Sequence, residues 1–315
     1  MFLREPIVPP PDEPEPATPS LGPIGRLLPA SWQDAVRARA GGFDLPGVAS
    51  GLLLDQLPDP TGFDPVAARR WFWLLHQTVC RYFRLTVLGD EHLPRRGRTL
   101  VVGCHSGVYA WDATCLVVVL YRHAGRFPRA VGDFLFARSE ATFRMLTRTG
   151  MIVGRPEEVT RALERDDMVL LFPGGAEDMT RPYLSARRYR VEPHKGFAPG
   201  HGGYVKIALR TRAPIVPVAV VGAEEVHVLL ANVPPLARLI GFPFFPIVAS
   251  PLPLPARIYV RFGPPIHLDA PPSAADDQAV VDELNVQVRT TLQALIDDTR
   301  ARRRGVFWSA YDGGR

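Results

Sequence analysis

The sequence predicts a single α/β domain with a largely parallel mixed sheet flanked by helices. From about residue 84 onward, short apolar runs typical of buried strands alternate with segments of helical periodicity. Such alternation is typical of a sheet whose faces are covered by helices. The composition agrees, because 46% of the 315 residues are hydrophobic and 22% are charged, as in an ordinary globular chain with a sizeable core.

The chain divides into four stretches. Residues 1–30 contain nine prolines and few aromatic residues, which predicts a disordered or extended tail. Residues 31–63 are expected to be an N-terminal extension with one short helix near Trp32–Ala40. Residues 64–305 are predicted to form the domain itself, and residues 306–315 are expected to be a C-terminal tail.

Strands and helices follow one another along residues 64–305. The first helix is predicted to be capped by Asp64, with Pro65 at its first position, and to extend to Arg84. The predicted strands are Arg84–Leu88, Thr99–Gly103, Met151–Val153, Met168–Phe172, Ile215–Val221 and Arg257–Phe262. The further helices are predicted near 113–122, 134–147, Pro156–Glu164, 202–211 and Asp276–Arg304, the last with Val280, Leu284, Val288, Leu292 and Leu295 on one stripe.

Two segments are candidates for contact with a lipid surface. Leu229–Pro255 is almost wholly apolar, but its seven prolines exclude a spanning helix. Its phenylalanines Phe242, Phe244 and Phe245 are expected either to dip into a bilayer surface or to pack on the core within a proline-rich loop. Asp64–Arg84 mixes aromatic residues with arginines, which is typical of an interfacial helix and also of a helix that covers its own core.

The charge and the cysteines narrow the function classes. The net charge is +5, with 35 arginines and two lysines among the 37 cations, and codon preference alone explains much of this arginine content. Residues 181–212 carry eight cations against Glu192, a local charge of +7, which indicates an anionic ligand or surface. The three cysteines, without CxxC spacing, indicate a reducing compartment and no structural zinc.

The first chemical motif is Gly103–Asp112, at the junction between a strand and a helix. Loops at the carboxyl ends of strands are where α/β folds place ligands. His105 in that loop is a candidate general base, and Asp112 is placed to hold one ring nitrogen. Asp112 also stands where the N-cap of a helix over Ala113–Tyr121 is expected, and the two roles are compatible.

The second motif is Phe172-Pro173-Gly174-Gly175, where an apolar strand enters a turn that is followed by acidic residues. Its two glycines allow backbone N–H groups to approach an oxygen-rich ligand closely. Upstream, Arg155 ends the run GMIVGR and is either a phosphate or carboxylate ligand or a surface cation.

The order of these motifs resembles the lysophospholipid/glycerolipid acyltransferase superfamily. The resemblance covers about residues 65–265 and includes His-x6-Asp after a strand, GMIVGR, FPGG and APIVPV in that order. It is greatest to the bacterial branch related to monoacylglycerol and diacylglycerol acyltransferases. The family moves an acyl group from a thioester of coenzyme A or acyl carrier protein to a lipid hydroxyl, so the resemblance implies this co-substrate and no metal or other cofactor.

The resemblance also implies roles for particular residues. His105 would activate the acceptor hydroxyl, and Asp112 would hold its ring. The residues expected to line the substrate site are Ser106, Gly107, Arg155, Phe172, Pro173, Gly174, Gly175 and Glu177. The chain departs from the phosphatidate-forming members in having six rather than four residues between His105 and Asp112, and Gly174 in place of a glutamate. His105 and Asp112 therefore meet only if Gly107–Trp111 bulges.

Other functions fit the sequence less well. A serine hydrolase would need a G-x-S-x-G elbow, which does not occur, and no nucleic-acid-binding module is visible. The alternative is a lipid-binding relative of the same fold without activity. The N-terminus lacks the features of a signal peptide, and no apolar run reaches the ~18 residues of a spanning helix. The expected location is therefore cytoplasmic, peripheral on the inner face of the cell membrane, with the lipid surface as partner.

Overall fold

A seven-stranded mixed sheet forms the centre of the protein. The computed structural model describes residues 61–133, 140–239 and 241–307. The strands of the main sheet are Thr86–Leu88 (β1), Thr99–Gly103 (β2), Pro128–Gly132 (β3), Ile152–Val153 (β4), Met168–Leu171 (β5), Ile215–Val221 (β6) and Tyr259–Phe262 (β9). Their spatial order is β1-β9-β6-β2-β5-β3-β4. All neighbouring strands are parallel except β6 and β9, so the predicted mixed, largely parallel sheet is confirmed.

The centre of the sheet is β2, which lies between β6 and β5. Val101 is opposite Val216 on one side and Leu170 on the other. Every residue of β2 and β6 is buried, as expected for strands covered on both faces. Because β2, β5 and β6 are parallel, their carboxyl ends lie at one edge of the sheet, and the loops that follow them meet there.

Helices cover both faces of this sheet. Their bounds are Pro65–Leu75 (α1), Trp111–Ala124 (α2), Glu140–Arg148 (α3), Pro156–Glu164 (α4), Gly203–Thr211 (α5), Pro234–Leu239 (α6) and Gln278–Ala301 (α7). Helices α1 and α2 share one buried cluster with the sheet, and α4, α5 and α7 share the other. The single-domain α/β architecture therefore has two core layers.

Helix α1 begins as predicted. Asp64 Oδ1 accepts hydrogen bonds from the backbone N–H groups of Val66 and Ala67, both at 3.0 Å, and Pro65 is the first helical residue. A π-helical turn, His76–Cys80, continues it. Phe72 and Phe83 are buried against the sheet, so this segment covers the domain's own core.

The segment 229–252 differs from the proline-rich loop expected there. It forms two short antiparallel strands, Leu229–Asn232 (β7) and Pro246–Val248 (β8), joined through α6. We call the described residues 229–239 and 241–252 the excursion, because this segment leaves the main sheet after β6 and returns before β9. Phe244 is buried in a small cluster beneath it, whereas Phe242 is exposed.

Other boundaries shift by a few residues. The prediction missed β3, because it begins at a proline and ends at a glycine, both of which are rare inside strands. The stripe predicted on the terminal helix was displaced: the buried positions are Val281, Asn285, Val288, Leu292, Ile296 and Thr299, with Leu284 and Leu295 at its edge. The helix predicted near 134–147 is observed over Glu140–Arg148, and its remainder lies outside the described residues.

The helix predicted near Trp32–Ala40 and the tail at 1–30 also lie outside the described residues. At the other end, Arg257 N donates a hydrogen bond to Val306 O at 2.9 Å, and Phe307 packs against the core. Within the described ranges, none of the helices combines the length and the apolar character needed to cross a membrane.

Candidate active site

His105 lies in the loop after β2, at the sheet edge where three loops meet. Its Nδ1 is 2.9 Å from Asp112 Oδ2, and its side chain is 12% exposed. Asp112 is fully buried on α2, and the same Oδ2 accepts a hydrogen bond from the backbone N–H of Ser106 at 2.8 Å. This arrangement fixes the ring with its proton on Nδ1 and presents Nε2, which has no hydrogen-bond partner in the described part of the chain, as the acceptor.

The pairing across six intervening residues depends on a bulge. Gly107, Tyr109 and Ala110 all have positive φ, at 79°, 64° and 51°. Gly107 also lies so close to the backbone carbonyl of Ala223 that a Cβ atom at this position would overlap it. The bulge therefore accommodates the extra residues, and the side chains of His105 and Asp112 come within hydrogen-bond distance of each other.

Asp112 does not cap α2, contrary to the second role expected for it. The helix begins at Trp111, its N-cap residue is Ala110, and no side chain caps it. Asp112 lies inside the first turn, where its carboxylate bonds backward to the His105 loop. The prediction of capping was wrong because the helix begins two residues earlier than the sequence pattern indicated.

The proton affinity of His105 reflects competing effects. Burial of the ring disfavours the charged form and is the largest single effect. The charge of Asp112 and its hydrogen bond, with a contribution from Asp178, outweigh burial and raise the pKa of His105. A ring with this partner accepts a proton readily, as a general base must.

The FPGG turn lies directly against the histidine. The ring of Phe172 stacks on that of His105, with 3.9 Å between centroids and 11° between planes. Gly174 touches the buried carboxylate of Asp178 so closely that any side chain at Gly174 would displace it. The carboxylate supplied by Asp178 therefore occupies the space beside the position where the phosphatidate-forming members carry glutamate.

A polar cluster lies behind His105. Asp178 is buried and accepts hydrogen bonds from His194 Nε2 at 2.8 Å and from Cys104 Sγ at 3.2 Å, and it pairs with Arg181. Burial raises the pKa of the Cys104 thiol well above its ordinary value, and the charge of Asp178 adds to this shift. Cys104 is therefore a neutral thiol, not a nucleophilic thiolate, although it precedes His105.

A second cluster fastens the loop after β6. Glu225 accepts hydrogen bonds from Tyr189 Oη at 2.6 Å and from Arg303 Nη1 at 2.8 Å. These two donors lie far from Glu225 in the sequence. Burial raises the pKa of Glu224 to about 7, although Arg181 and Arg188 oppose this shift. These contacts hold the backbone at Ala223, against which Gly107 packs.

Most of the local positive charge of residues 181–212 is neutralised within the protein. Five of its eight cations form ion pairs with carboxylates: Arg181 with Asp178, Arg187 with Glu192, Arg188 with Glu224 and Glu225, Lys195 with Glu177, and Arg210 with Asp276. The high charge in this stretch therefore reflects internal pairing to a large extent, which the sequence count alone did not reveal.

The remaining predicted site residues lie at different distances from His105. Ser106 is buried beside His105, and its Oγ has no hydrogen-bond partner among the described residues. Glu177 is half-exposed and lies 3.4 Å from His194 Nδ1. Arg155 is exposed at the carboxyl end of β4, and β3 separates that strand from β5, so it is the most remote of the set.

Sequence reasoning missed several residues of the site. These residues, His194, Arg181 and Glu224, lie 76 to 119 positions beyond His105 in the sequence, and no local spacing motif identifies them. The acidic pair at Glu224 and Glu225, directly after an all-buried strand, was a usable signal. In the described ranges, no group of three or more histidine, cysteine or acidic side chains is arranged to hold a metal ion.

Comparisons with known proteins identify the family of this chain. A family model described as Acyltransferase matches residues 84–221. Uncharacterized proteins of Mycobacterium tuberculosis and Mycobacterium leprae are 34% and 35% identical over 269 residues, which cover 81% of this chain and 72% and 71% of those proteins. The Arabidopsis thaliana protein named phytyl ester synthase 2, chloroplastic, is 24% identical over 68% of this chain and 34% of its own length.

Among solved structures, the fold is similar to a 1-acyl-sn-glycerophosphate acyltransferase from Thermotoga maritima. The TM-score is 0.52 with 15% sequence identity, over 87% of this chain and 95% of that one. This match concerns the fold, whereas the family model spans the strands that carry both motifs. On these findings together, the chain belongs to the acyltransferase superfamily.

Proposed function

We propose that this protein is an O-acyltransferase that moves a fatty acyl group from an acyl thioester to a hydroxyl of a glycerolipid or lysophospholipid. The observation that carries the proposal is the buried hydrogen bond between His105 Nδ1 and Asp112 Oδ2, which leaves Nε2 as a base at the sheet edge. The acyl donor is coenzyme A or acyl carrier protein thioester, and the enzyme works peripherally at the inner face of the cell membrane.

The reaction needs one base and no covalent enzyme intermediate. His105 Nε2 takes the proton of the acceptor hydroxyl as its oxygen attacks the thioester carbonyl carbon. The carbon–sulfur bond then breaks, and the departing thiolate takes the proton from His105, giving an ester and a free thiol. Asp112 keeps the ring oriented and stabilises its protonated state during this exchange.

An uncharged acceptor fits the site better than a phosphate-bearing one. The carboxylates of Glu177 and Asp178 lie beside the FPGG turn, and the cations nearest to them, Lys195 and Arg181, are paired with them. Monoacylglycerol and diacylglycerol are therefore the first acceptors to test, with a long-chain alcohol included because a distant relative is named for a phytyl ester.

The test is free-thiol release from a long-chain acyl-CoA, then from acyl carrier protein thioester, with each acceptor supplied in lipid vesicles. We expect release that depends on an acceptor, together with the matching ester detected by mass spectrometry. Release without any acceptor would identify a thioesterase instead. No release from either donor with any acceptor would favour the alternative, a lipid-binding relative without activity.

A further inference from the structure

The excursion has an outer face of unusual character. In the two-stranded sheet of β7 and β8, Leu229 and Val248 are paired and point into the protein, whereas Leu230 and Ile247 point outward and are exposed. The outer face of a two-stranded sheet at a protein surface is ordinarily polar. Here it is apolar on both strands.

The excursion carries further exposed apolar side chains outside the two strands. Leu239 at the end of α6 is 80% exposed, Leu252 is 73% exposed, and Phe242 between them in sequence is also exposed. Residues 226–256 contain one charged side chain, Arg238, and no carboxylate. A concentration of large exposed apolar side chains in one short segment is typical of an interaction site.

The inner face of the excursion is continuous with the active site. Leu229 and Phe244 form one buried cluster with Val108, which belongs to the bulge between His105 and Asp112. Tyr109 in the same bulge packs edge-on against His227, with 5.0 Å between ring centroids. The excursion therefore packs directly on the bulge that holds His105 and Asp112 together.

Basic side chains flank the surface. Tyr183 N donates a hydrogen bond to Leu229 O at 2.8 Å, and the segment that follows Tyr183 carries the exposed Arg190. On the other side, Tyr82 Oη donates to Pro253 O at 2.7 Å, next to the exposed Arg81. An apolar centre with basic flanks and no acid within it complements an anionic bilayer surface.

We propose that the outer face of the excursion inserts into the lipid surface and brings the sheet edge that carries His105 against the bilayer. The acceptor then reaches His105 laterally, without leaving the membrane. This inference rests on the proposed function for the nature of the acceptor, and it adds the surface through which that acceptor arrives.

The experiment uses the full chain with Leu239→Asp and Leu252→Asp combined. Both side chains are highly exposed, so the variant is expected to fold, which its unfolding temperature checks. The matched control is Val286→Asp. Val286 is an exposed apolar residue on α7, a helix that does not belong to the excursion. Two readouts are taken: co-sedimentation with phosphatidylcholine vesicles containing phosphatidylglycerol, and turnover of acceptors.

We expect the double variant to lose about tenfold or more in vesicle binding and in turnover of diacylglycerol held in vesicles, since two apolar insertions become charged. Its turnover of a short-chain, water-soluble acceptor should stay within about twofold of wild type, because the chemistry at His105 is untouched. Val286→Asp should match wild type in both readouts.

Three results would overturn the inference. The first is a double variant that binds vesicles and turns over embedded acceptor like wild type. The second is wild-type binding that disappears in high salt alone, which would assign it to the basic flanks. The third is a wild-type protein that does not bind vesicles but self-associates through this face. If wild type acylates none of the acceptors, including the soluble ones, the proposed function is refuted. The vesicle-binding measurement would still test whether the excursion inserts into the lipid surface.

Discussion

At the scale of single residues, one oxygen atom organises the candidate active site. Asp112 Oδ2 accepts hydrogen bonds from both His105 Nδ1 and Ser106 N, so it fixes the ring and the backbone that carries the ring. Hydrogen bonds to a charged acceptor are about twice as strong as neutral ones. A change at this carboxylate should therefore alter the pKa of His105 and the rate together.

The first prediction concerns Asp112→Asn. The charge of Asp112 raises the pKa of His105, so in wild type kcat/KM should fall as the pH drops through that raised value and the base becomes protonated. Removing the charge should move this acidic limb to lower pH and reduce the maximal kcat/KM by roughly 10²-fold. The measurement is kcat/KM against pH for both proteins. An acidic limb at the same pH in both would show that another group controls it.

The second prediction concerns Cys104→Ala. The thiol is buried beside Asp178 and its pKa is raised, so it takes no part in the proposed chemistry. The variant should keep activity within a few-fold and lose about 1 kcal/mol of unfolding free energy with the hydrogen bond. Activity assays and urea titration measure these two effects. An acyl group found on Cys104 by mass spectrometry would contradict direct transfer.

At the scale of elements, the bulge between His105 and Asp112 is the least regular part of the site. Tyr109 and Ala110 adopt left-handed conformations that cost roughly 1 kcal/mol each for residues with a Cβ atom. Their neighbours fix them in place: Val108 packs beneath the excursion, and Trp111 begins α2. The bulge is therefore stabilised by packing from elsewhere in the chain.

The third prediction tests this bulge with Gly107→Ala. Its φ is positive, and a methyl group would overlap the carbonyl of Ala223, so we expect a loss of about 2–3 kcal/mol and a large fall in activity. The control is Gly97→Ala, which also has positive φ but open space around it and should cost only about 1 kcal/mol. Urea titration and thiol release are measured for both. Equal effects of the two substitutions would contradict the close approach.

The fourth prediction concerns the start of α1. Asp64 caps this helix and forms a buried ion pair with Arg148 on α3, at 2.7 Å. Asp64→Ala should cost about 3 kcal/mol of unfolding free energy, since it leaves the Arg148 charge buried and removes the cap. The calorimetric unfolding temperature of both proteins gives the measurement, and a variant as stable as wild type would contradict it.

The same residue sets a pH dependence. Burial tends to raise the pKa of Asp64, but its bonds to Arg148, Ala67 and Val66 together lower it below the ordinary value of 3.8. Its contribution to stability should therefore be complete above that value and disappear as the pH falls through the lower pKa of the folded state. Asp64→Ala should lack this part of the acid sensitivity.

The sequence was most informative where a local pattern decides the structure. The unbroken apolar runs of β2, β5 and β6 and the Asp64-Pro65 start of α1 were predictable to within a residue. The excursion was not, because its strands are only four and three residues long and stand in a proline-rich segment, and prolines are rare inside strands. Local spacing found His105 and Asp112, whereas only the folded chain brings His194 to Asp178.

At the scale of the whole molecule, the fold brings three loops to one edge of the sheet. The loop after β2 supplies His105, the loop after β5 supplies the FPGG turn, and the loop after β6 supplies the carbonyl on which Gly107 rests. The excursion grows from the last of these loops and carries its apolar face outward. The candidate active site and the proposed lipid-binding surface therefore share the loop after β6.

The central claim is that His105 is the base for acyl transfer. The most direct measurement is the rate of ester formation from acyl-CoA and acceptor by wild type, His105→Ala and His201→Ala, each checked for folding by its unfolding temperature. His201 is an exposed histidine at a loop, so it controls for the loss of an imidazole. We predict a fall of about 10³-fold or more for His105→Ala alone, with little change in stability. Ester formation by His105→Ala at the wild-type rate would contradict the account.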